Sequence, residues 1–125
     1  MNGSLPTSLR LTLKLEWALL AAGLVLTYAA TDGSWLLFAL LVLAPDLSML
    51  GYLAGPRIGA LAYNLFHSLI GPLVLLALGW FGASDPAVHV AIIWAFHVAF
   101  DRAVGYGLKL TTSFRDTHLG RIGRD

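Results

Sequence analysis

Apolar residues occur along the chain in four long segments that cover residues 11–31, 35–54, 58–81 and 87–108. Each segment has about the 20 residues that an α-helix needs to cross a hydrocarbon core of about 30 Å. The links between them are short and rich in turn-forming residues, so we expect neighbouring helices to run antiparallel. The pattern predicts an all-α fold, an antiparallel four-helix transmembrane bundle that forms one membrane domain over residues 1–125.

The residues that begin two of these helices are also predicted by the links. Ser34 and Asp85 precede apolar segments and have side chains that can accept hydrogen bonds from free helix amides, so we expect them to be N-caps. Pro86 fits the first turn of the fourth helix, where the missing amide hydrogen costs little.

Composition strengthens the membrane interpretation. The chain is 58% hydrophobic and 12% charged, whereas soluble domains are about half apolar and a quarter charged. A chain of 125 residues cannot hide that excess from water in its own core, so the lipid bilayer is its predicted surrounding. The net charge of +1 argues against a nucleic-acid partner, and the absence of cysteine excludes disulfides and thiolate metal sites.

The basic residues predict the orientation in the membrane. They flank the first segment, lie in the second link, and follow at and after the end of the fourth segment: Arg10, Lys14, Arg57, Arg102, Lys109, Arg115, Arg121 and Arg124. The first and third links contain none. By the positive-inside rule, we expect a multi-pass protein of the bacterial inner membrane, with both termini and a polar tail over residues 110–125 in the cytoplasm.

Several polar residues lie inside the apolar segments, where lipid would make them costly: Glu16, Asp46, Asn64, His67, His97 and Asp101. At a rise of about 1.5 Å per residue, all of them fall about 8–16 Å from the cytoplasmic helix ends. Asn64 and His67 are three residues apart, and His97 and Asp101 are four apart, so each pair shares a helix face. We therefore expect these side chains to face one buried pocket.

The residue types in this pocket favour a divalent metal. Imidazole nitrogens and carboxylate oxygens suit zinc, manganese or iron, and the predicted ligands are His67, His97, Asp101 and Asp46. Asp46 and Glu16 are the candidate catalytic groups, while Asn64 and Glu16 would orient the ligands from behind. An open coordination position would make the site hydrolytic, so an enzymatic role as a metal-dependent hydrolase is one interpretation.

Three other interpretations use the same residues. A structural ion-pair network could join Asp46 to Arg57 and Asp101 to Lys109. Carboxylates and histidines at one depth could also relay protons or a solute. A haem held between His67 and His97 is the third, because the two residues lie at nearly equal depth on adjacent helices.

The polar tail and the partners complete the predictions. Asp116 and His118 lie close to the cytoplasmic mouth of the pocket and could contribute to it. A substrate that reaches a site below the headgroups would be an amphiphilic, lipid-like molecule. The pattern suits a single chain or a homo-oligomer, because lipid-facing and protein-facing apolar surfaces look alike in a sequence.

The chain also resembles a known family in five motifs: Ala44–Tyr52, Tyr63-Asn64 with His67, His97 with Phe100-Asp101-Arg102, Gly105–Lys109 and Asp116–Gly120. In these motifs it is similar to the bacterial membrane family catalogued as domain of unknown function 4260, which implies a compact multi-span protein. More distantly, the order of Pro-Asp, His-Ser and His-x3-Asp resembles the LexA-regulated membrane-bound metal-dependent hydrolases. That likeness implies Asp46, His67, His97 and Asp101 as metal ligands.

Overall fold

The computed structural model describes residues 5–110 and 115–121, and this part of the chain is almost wholly helical. The helical elements are α1 (Thr7–Ala30), α2 (Trp35–Leu41), a 3₁₀ helix (Ala44–Ala54), α3 (Pro56–Phe66), α4 (Ile70–Phe81) and α5 (Asp85–Ala103). Strands β1 (Asp116–Thr117) and β2 (Gly120–Arg121) form a small antiparallel hairpin. The predicted all-α character is confirmed for the described residues, apart from this hairpin.

Two of the four predicted segments are interrupted rather than continuous. The second changes from α-helix to 3₁₀ helix after Leu41, and Pro45 lies in the first turn of the 3₁₀ helix. The third is broken between α3 and α4. Pro72 lies in the first turn of α4, has no amide hydrogen to donate to the Ser68 carbonyl, and would clash with that carbonyl in a continuous helix. Both interruptions lie beside residues of the predicted site.

The fourth predicted segment, 87–108, is too long at its C-terminal end. Helix α5 ends at Ala103, and Gly105 then adopts a φ of +104°, a conformation that ends helices and favours glycine. At its start, Ser84 is the N-cap, with its side chain accepting from the Ala87 amide, so the prediction of Asp85 was wrong by one residue. Ser34 caps α2 as predicted, and a proline lies in the first turn of α5.

Helix α5 is the centre of the packing. It is in contact with α1 and α4, while the 3₁₀ helix packs chiefly against α3. The buried face of α5 includes Ile92, Ile93 and Val98. Helix α4 approaches α5 so closely that a Cβ atom added to Gly71 would overlap the ring of Trp94. This close approach fixes the axial position of α4 against the middle of α5.

The outer surface of the helices is strongly apolar. Large hydrophobic side chains are exposed on every helical element, among them Leu19, Leu36, Leu53, Leu61, Leu78 and Phe100. Two stretches, Trp35–Ala54 and Pro56–Phe81, are long and apolar enough to cross a membrane, with hydropathies of 2.0 and 1.7. Only a small share of each stretch is buried within the protein, so most of its apolar surface faces outward.

Candidate metal centre

Three elements bring four potential metal ligands to one point. Asp46 lies in the first turn of the 3₁₀ helix, His67 follows the last residue of α3, and His97 and Asp101 are one turn apart on α5. One ligand atom from each of these residues lies within 4.8 Å of the other three. The interruptions of the second and third segments thus occur where Asp46 and His67 enter the site.

The contacts in this cluster are short. The His67 Nε2 atom lies 3.0 Å from Asp46 Oδ1 and 3.5 Å from Asp101 Oδ2. The His97 Nε2 atom lies 3.1 Å from Asp46 Oδ1 and 3.4 Å from Asp101 Oδ2. The two Nε2 atoms are themselves 3.1 Å apart. Both imidazole rings therefore direct the same nitrogen at the same pair of carboxylates.

Backbone carbonyls determine which ring nitrogen carries hydrogen. His67 Nδ1 lies 3.0 Å from the Tyr63 carbonyl oxygen, and His97 Nδ1 lies 2.6 Å from that of Val42. A carbonyl oxygen can only accept, so both Nδ1 atoms carry the proton and donate. In the neutral imidazoles, the Nε2 lone pairs then point into the cluster. Metal-binding histidines commonly have this arrangement, with the second nitrogen held by a backbone carbonyl.

The separations also suit a small divalent ion. For bonds of about 2.0–2.1 Å, ligand atoms at the corners of a tetrahedron are about 3.3–3.4 Å apart. The five separations between histidine and its partner ligands run from 3.0 to 3.5 Å. Two carboxylates and two neutral imidazoles would carry a charge of about −2, which one divalent cation would neutralise.

The cluster is closed on one side and open on the other. The His67 and His97 side chains are 0% and 5% exposed, and that of Asp101 is 14% exposed. The Asp46 side chain is 34% exposed, so the solvent-accessible side of the cluster is at this carboxylate. Asp46 contacts both imidazoles through Oδ1 alone in these pairs. A small molecule would reach the cluster past the Asp46 side chain.

Neighbouring groups hold the His67 ring and its backbone in place. The Tyr63 ring stacks on the His67 ring at a centroid distance of 3.7 Å. Arg102 is buried, and its Nη2 atom donates to the His67 carbonyl oxygen at 2.7 Å while Nη1 donates to that of Tyr106. From its sequence position Arg102 is expected only as one of the basic groups that could compensate the buried carboxylates. Its hydrogen bonds to two backbone carbonyls are a different role, which no local pattern indicates.

Asn64 has a different role from the predicted one. Its amide nitrogen donates to the Lys109 carbonyl oxygen at 2.8 Å, and its Oδ1 atom accepts from the Lys109 amide at 2.6 Å. These two bonds fasten the segment after α5 to α3, and they use both ends of the Asn64 side chain. Asn64 therefore anchors the backbone near the site and does not orient a metal ligand directly.

Glu16 lies outside the cluster. Glu16 is exposed on α1, and it is not among the residues whose ligand atoms converge in the described part of the chain. Its predicted catalytic and orienting roles are therefore not supported by its position. The depth of Glu16 in the first segment was inferred from the sequence, but the rotation of α1 about its axis directs this side chain outward.

The tail returns to the end of α5. The His118 amide donates to the Leu108 carbonyl oxygen at 2.9 Å, and His118 Nδ1 accepts from the Leu108 amide at 2.7 Å. Partial burial and the charge of Arg102 lower the pKa of His118. His118 is not part of the cluster, so its predicted contribution to the metal site becomes a role in holding the tail. The side chain of Asp116, the other predicted tail residue, lies outside the described part of the structure.

The contacts of Asp46 differ from the predicted ion pair with Arg57. Asp46 pairs with His67 and His97, whereas Arg57 is exposed and is not among its ion-pair partners in the described residues. Burial lowers the pKa of Lys109 to about 8, and the negative charge of Asp101 opposes this shift. The Lys109 ammonium lies 4.7 Å from the centroid of the Tyr63 ring. Lys109 is thus part of the surroundings of the cluster.

A bis-histidine haem does not fit this arrangement. Axial ligands lie on opposite faces of a porphyrin, with the macrocycle between them. The two Nε2 atoms are 3.1 Å apart, and both are also in contact with Asp46 Oδ1. The space between the two rings therefore suits a single ion and leaves no room for a macrocycle.

Comparison with known proteins identifies the chain at the level of a family. No curated protein and no solved structure matches it. The likeness to LexA-regulated hydrolases therefore rests on the order of a few residues alone. A family model described as a domain of unknown function (DUF4260) matches residues 10–122, so the chain belongs to that family.

Proposed function

We propose that this protein is an integral membrane protein that binds one divalent metal ion and uses it to hydrolyse an amphiphilic substrate. The observation that carries the proposal is the convergence of two imidazole Nε2 atoms and two carboxylates, with the Nδ1 hydrogens of both rings committed to backbone carbonyls. His67, His97 and Asp101 would be the ligands, and Asp46 would be a fourth ligand or the catalytic base. With Asp46 as the base, one coordination position stays open to water. Zinc, manganese and iron all accept this set of nitrogen and oxygen donors.

The open side of the cluster supports a catalytic role for Asp46. This carboxylate is the most exposed of the four ligand side chains, and only its Oδ1 atom is in the contacts with histidine. When bound, the metal would polarise a scissile carbonyl or phosphoryl group and make a water molecule more acidic. Asp46 Oδ2 would accept a proton as the water oxygen attacks, and would return that proton to the leaving group as its bond breaks.

The surface supports insertion in a membrane. Soluble monomers rarely expose contiguous apolar patches larger than a few hundred Å². Here large apolar side chains are exposed on every helical element, including Leu19, Leu53 and Leu78. We propose four passes, with the basic residues at the cytoplasmic ends, in the bacterial inner membrane. The ligand cluster would then lie below the headgroups, where an amphiphile can present a polar group to it.

Metal content tests the proposal most directly. The full-length protein, purified in detergent, is dialysed with zinc, manganese or iron and analysed for bound metal by elemental analysis. We expect about one ion per chain in the native protein, and a loss of more than 100-fold in affinity in His97→Ala, because a lost ligand costs more than the 10–100-fold of a lost supporting group. His89→Ala is the matched control and retains the metal.

A second measurement tests hydrolysis itself. The metal-loaded protein is incubated with p-nitrophenyl octanoate, and release of nitrophenolate is followed with and without a chelator. We expect turnover in the native protein and in His89→Ala, and none after chelation or in His97→Ala. A folded protein that binds no metal would refute the proposal and favour the proton relay. A protein that binds metal without turnover would limit the cluster to metal binding.

A further inference from the structure

A small apolar cavity lies beside the ligand cluster. Its volume is about 180 Å³, and its lining includes Pro45, Phe66, Ile93 and Trp94. Pro45 adjoins Asp46 and Phe66 adjoins His67, while Trp94 precedes His97 by one helical turn, or about 5 Å. Each of the three elements that supply ligands therefore also supplies a wall of the cavity.

The cavity offers little to a polar molecule. Its lining side chains are aliphatic or aromatic, and Trp94 is the one with a polar hydrogen. The indole Nε1 of Trp94 donates that hydrogen to the Phe66 carbonyl oxygen at 2.7 Å. Water needs two to four polar partners to be held in a cavity, so this one favours an apolar occupant. Phe66 is 41% exposed, which places the cavity at the molecular surface.

The direction of the cavity from the cluster matches the orientation of a lipid. The lining residues Val90, Ile93 and Trp94 lie N-terminal to His97 on α5, whereas Asp101 and Arg102 follow it towards the basic C-terminal end. With the C-terminal end of α5 at the cytoplasmic side, the cavity lies deeper in the bilayer than the ligands. A molecule with its polar group at the ligands would extend its chain into the cavity.

We propose that this cavity binds the alkyl or acyl chain of the substrate, so that the protein acts on single-chain or multi-chain amphiphiles whose scissile group lies at the head of such a chain. The inference rests on the proposed function and specifies its substrate class. The cavity is slightly larger than an apolar cavity of about 150 Å³ that holds benzene, so it would take the first segment of about six carbons.

Alkyl hydroxamates of increasing length test the inference, because the hydroxamate group binds divalent metals and the chain probes the cavity. Dissociation constants are measured on the zinc-loaded, full-length protein in detergent, from acetohydroxamate to dodecanohydroxamate. We expect the affinity to rise up to about fourfold for each added methylene, and to level off after about six carbons.

Variants separate the cavity from partition into the micelle. Val90→Phe fills the cavity and flattens the dependence on chain length without changing the affinity for acetohydroxamate. Ala44→Val is a smaller change in the same lining and serves as the test if Val90→Phe does not fold. It is expected to weaken the dependence on chain length in part. Val74→Phe is the matched control, because Val74 is 55% exposed on α4. An equal dependence in native, Val90→Phe and Val74→Phe proteins would overturn the inference.

A metal-independent probe distinguishes this failure from that of the proposed function. The metal-free protein is titrated with hexan-1-ol, and the change in Trp94 fluorescence is taken as the difference between native and Trp94→Phe proteins. Saturable binding that Val90→Phe abolishes supports the cavity even where no metal is found. Metal binding without chain-length dependence or saturable hexanol binding refutes the chain site and leaves the metal site standing.

Discussion

In the described part of the chain, two regions contain a histidine ring in contact with a backbone carbonyl, and they differ in what the rest of the ring meets. In the aromatic cluster of Tyr28, Trp35, Phe38 and His89, His89 Nε2 lies 3.1 Å from the Thr31 carbonyl oxygen and the ring meets Tyr28 edge-on. In the ligand cluster, His67 and His97 also use one nitrogen for a carbonyl, but direct the other at two carboxylates.

The difference shows how a structural histidine is distinguished from a ligand. The aromatic cluster is explained by packing and hydrogen bonding alone, because each contact is favourable in the absence of any further molecule. The ligand cluster brings acceptor atoms together, and those atoms repel one another unless a proton or a cation lies between them. Burial of a histidine is therefore less informative than the group that its second nitrogen faces.

The largest expected effect concerns the aromatic cluster. Tyr28 is completely buried, and its hydroxyl donates to the Ser34 carbonyl oxygen at 2.6 Å. Tyr28→Ala is expected to lower the free energy of unfolding by about 3–5 kcal/mol, because it removes a large buried ring. Thermal unfolding in detergent measures the loss, and Tyr28→Phe is the control, with a cost of about 1 kcal/mol. The fraction that stays folded should bind metal as the native protein does; a metal-specific loss would break the division between the regions.

The ligand cluster is expected to gain stability from added zinc. A ligand at 100 times its dissociation constant stabilises the folded state by about 2.7 kcal/mol. Added zinc should therefore raise the unfolding temperature of the native protein and of His89→Ala, and leave that of His97→Ala unchanged. Titration of unfolding temperature against zinc concentration provides the measurement. An equal shift in all three proteins would mean that the ion binds elsewhere.

His118 gives a fourth histidine for the comparison, in a third environment. Partial burial and the charge of Arg102 lower its pKa below the ordinary 6.5, and its Nδ1 atom accepts from the Leu108 amide. The unfolded chain therefore binds this proton more readily, so its stabilising effect is complete above pH 6.5 and is lost as pH falls below that value. We expect the Leu108 amide to exchange hydrogen faster at pH 5 than at pH 7, after correction for intrinsic rates, because the protonated ring cannot accept from that amide. His118→Ala should remove this pH dependence.

The smallest expected effect is the sharpest test of whether the ligand cluster is a structural ion-pair network. In metal-free protein, Asp101→Asn should change the free energy of unfolding by less than about 1 kcal/mol, because it removes one of two neighbouring carboxylates. If the cluster were a structural ion-pair network, the same change would cost about 3–5 kcal/mol. Chemical unfolding of the native and variant proteins in the presence of a chelator decides between these two explanations, with Asp85→Asn at the exposed start of α5 as control.

The residues of the cluster could be predicted from the sequence, but their neighbours could not. Asp46, His67, His97 and Asp101 were indicated by the cost of polar groups in apolar segments and by their common depth. Depth follows from the number of residues, whereas the direction of a side chain follows from helix rotation. Lipid and protein interior are equally apolar, so a segment such as α1 carries little signal for rotation, and Glu16 was misplaced for this reason.

Two other features depend on partners that are distant in sequence. Asn64 bonds to the backbone of Lys109, 45 residues away, and no local pattern indicates such a pairing. The break in the third segment was predictable in principle, since Pro72 cannot donate to the Ser68 carbonyl and its ring would clash with that carbonyl in a regular helix. The membrane length rule favoured a continuous helix, because it counts apolar residues and takes no account of where the hydrogen-bond ladder stops.

At the interruption before α4, His67 is contacted by two consecutive residues of α5. The His67 carbonyl oxygen is bound by Arg102, and the residue before Arg102 is Asp101, which faces the His67 ring. One short stretch of α5 thus contacts both the backbone and the side chain of His67. A shift of α5 along its axis by a single residue would break both contacts at once, so we expect metal affinity to be lost abruptly, rather than gradually, as this helix is displaced.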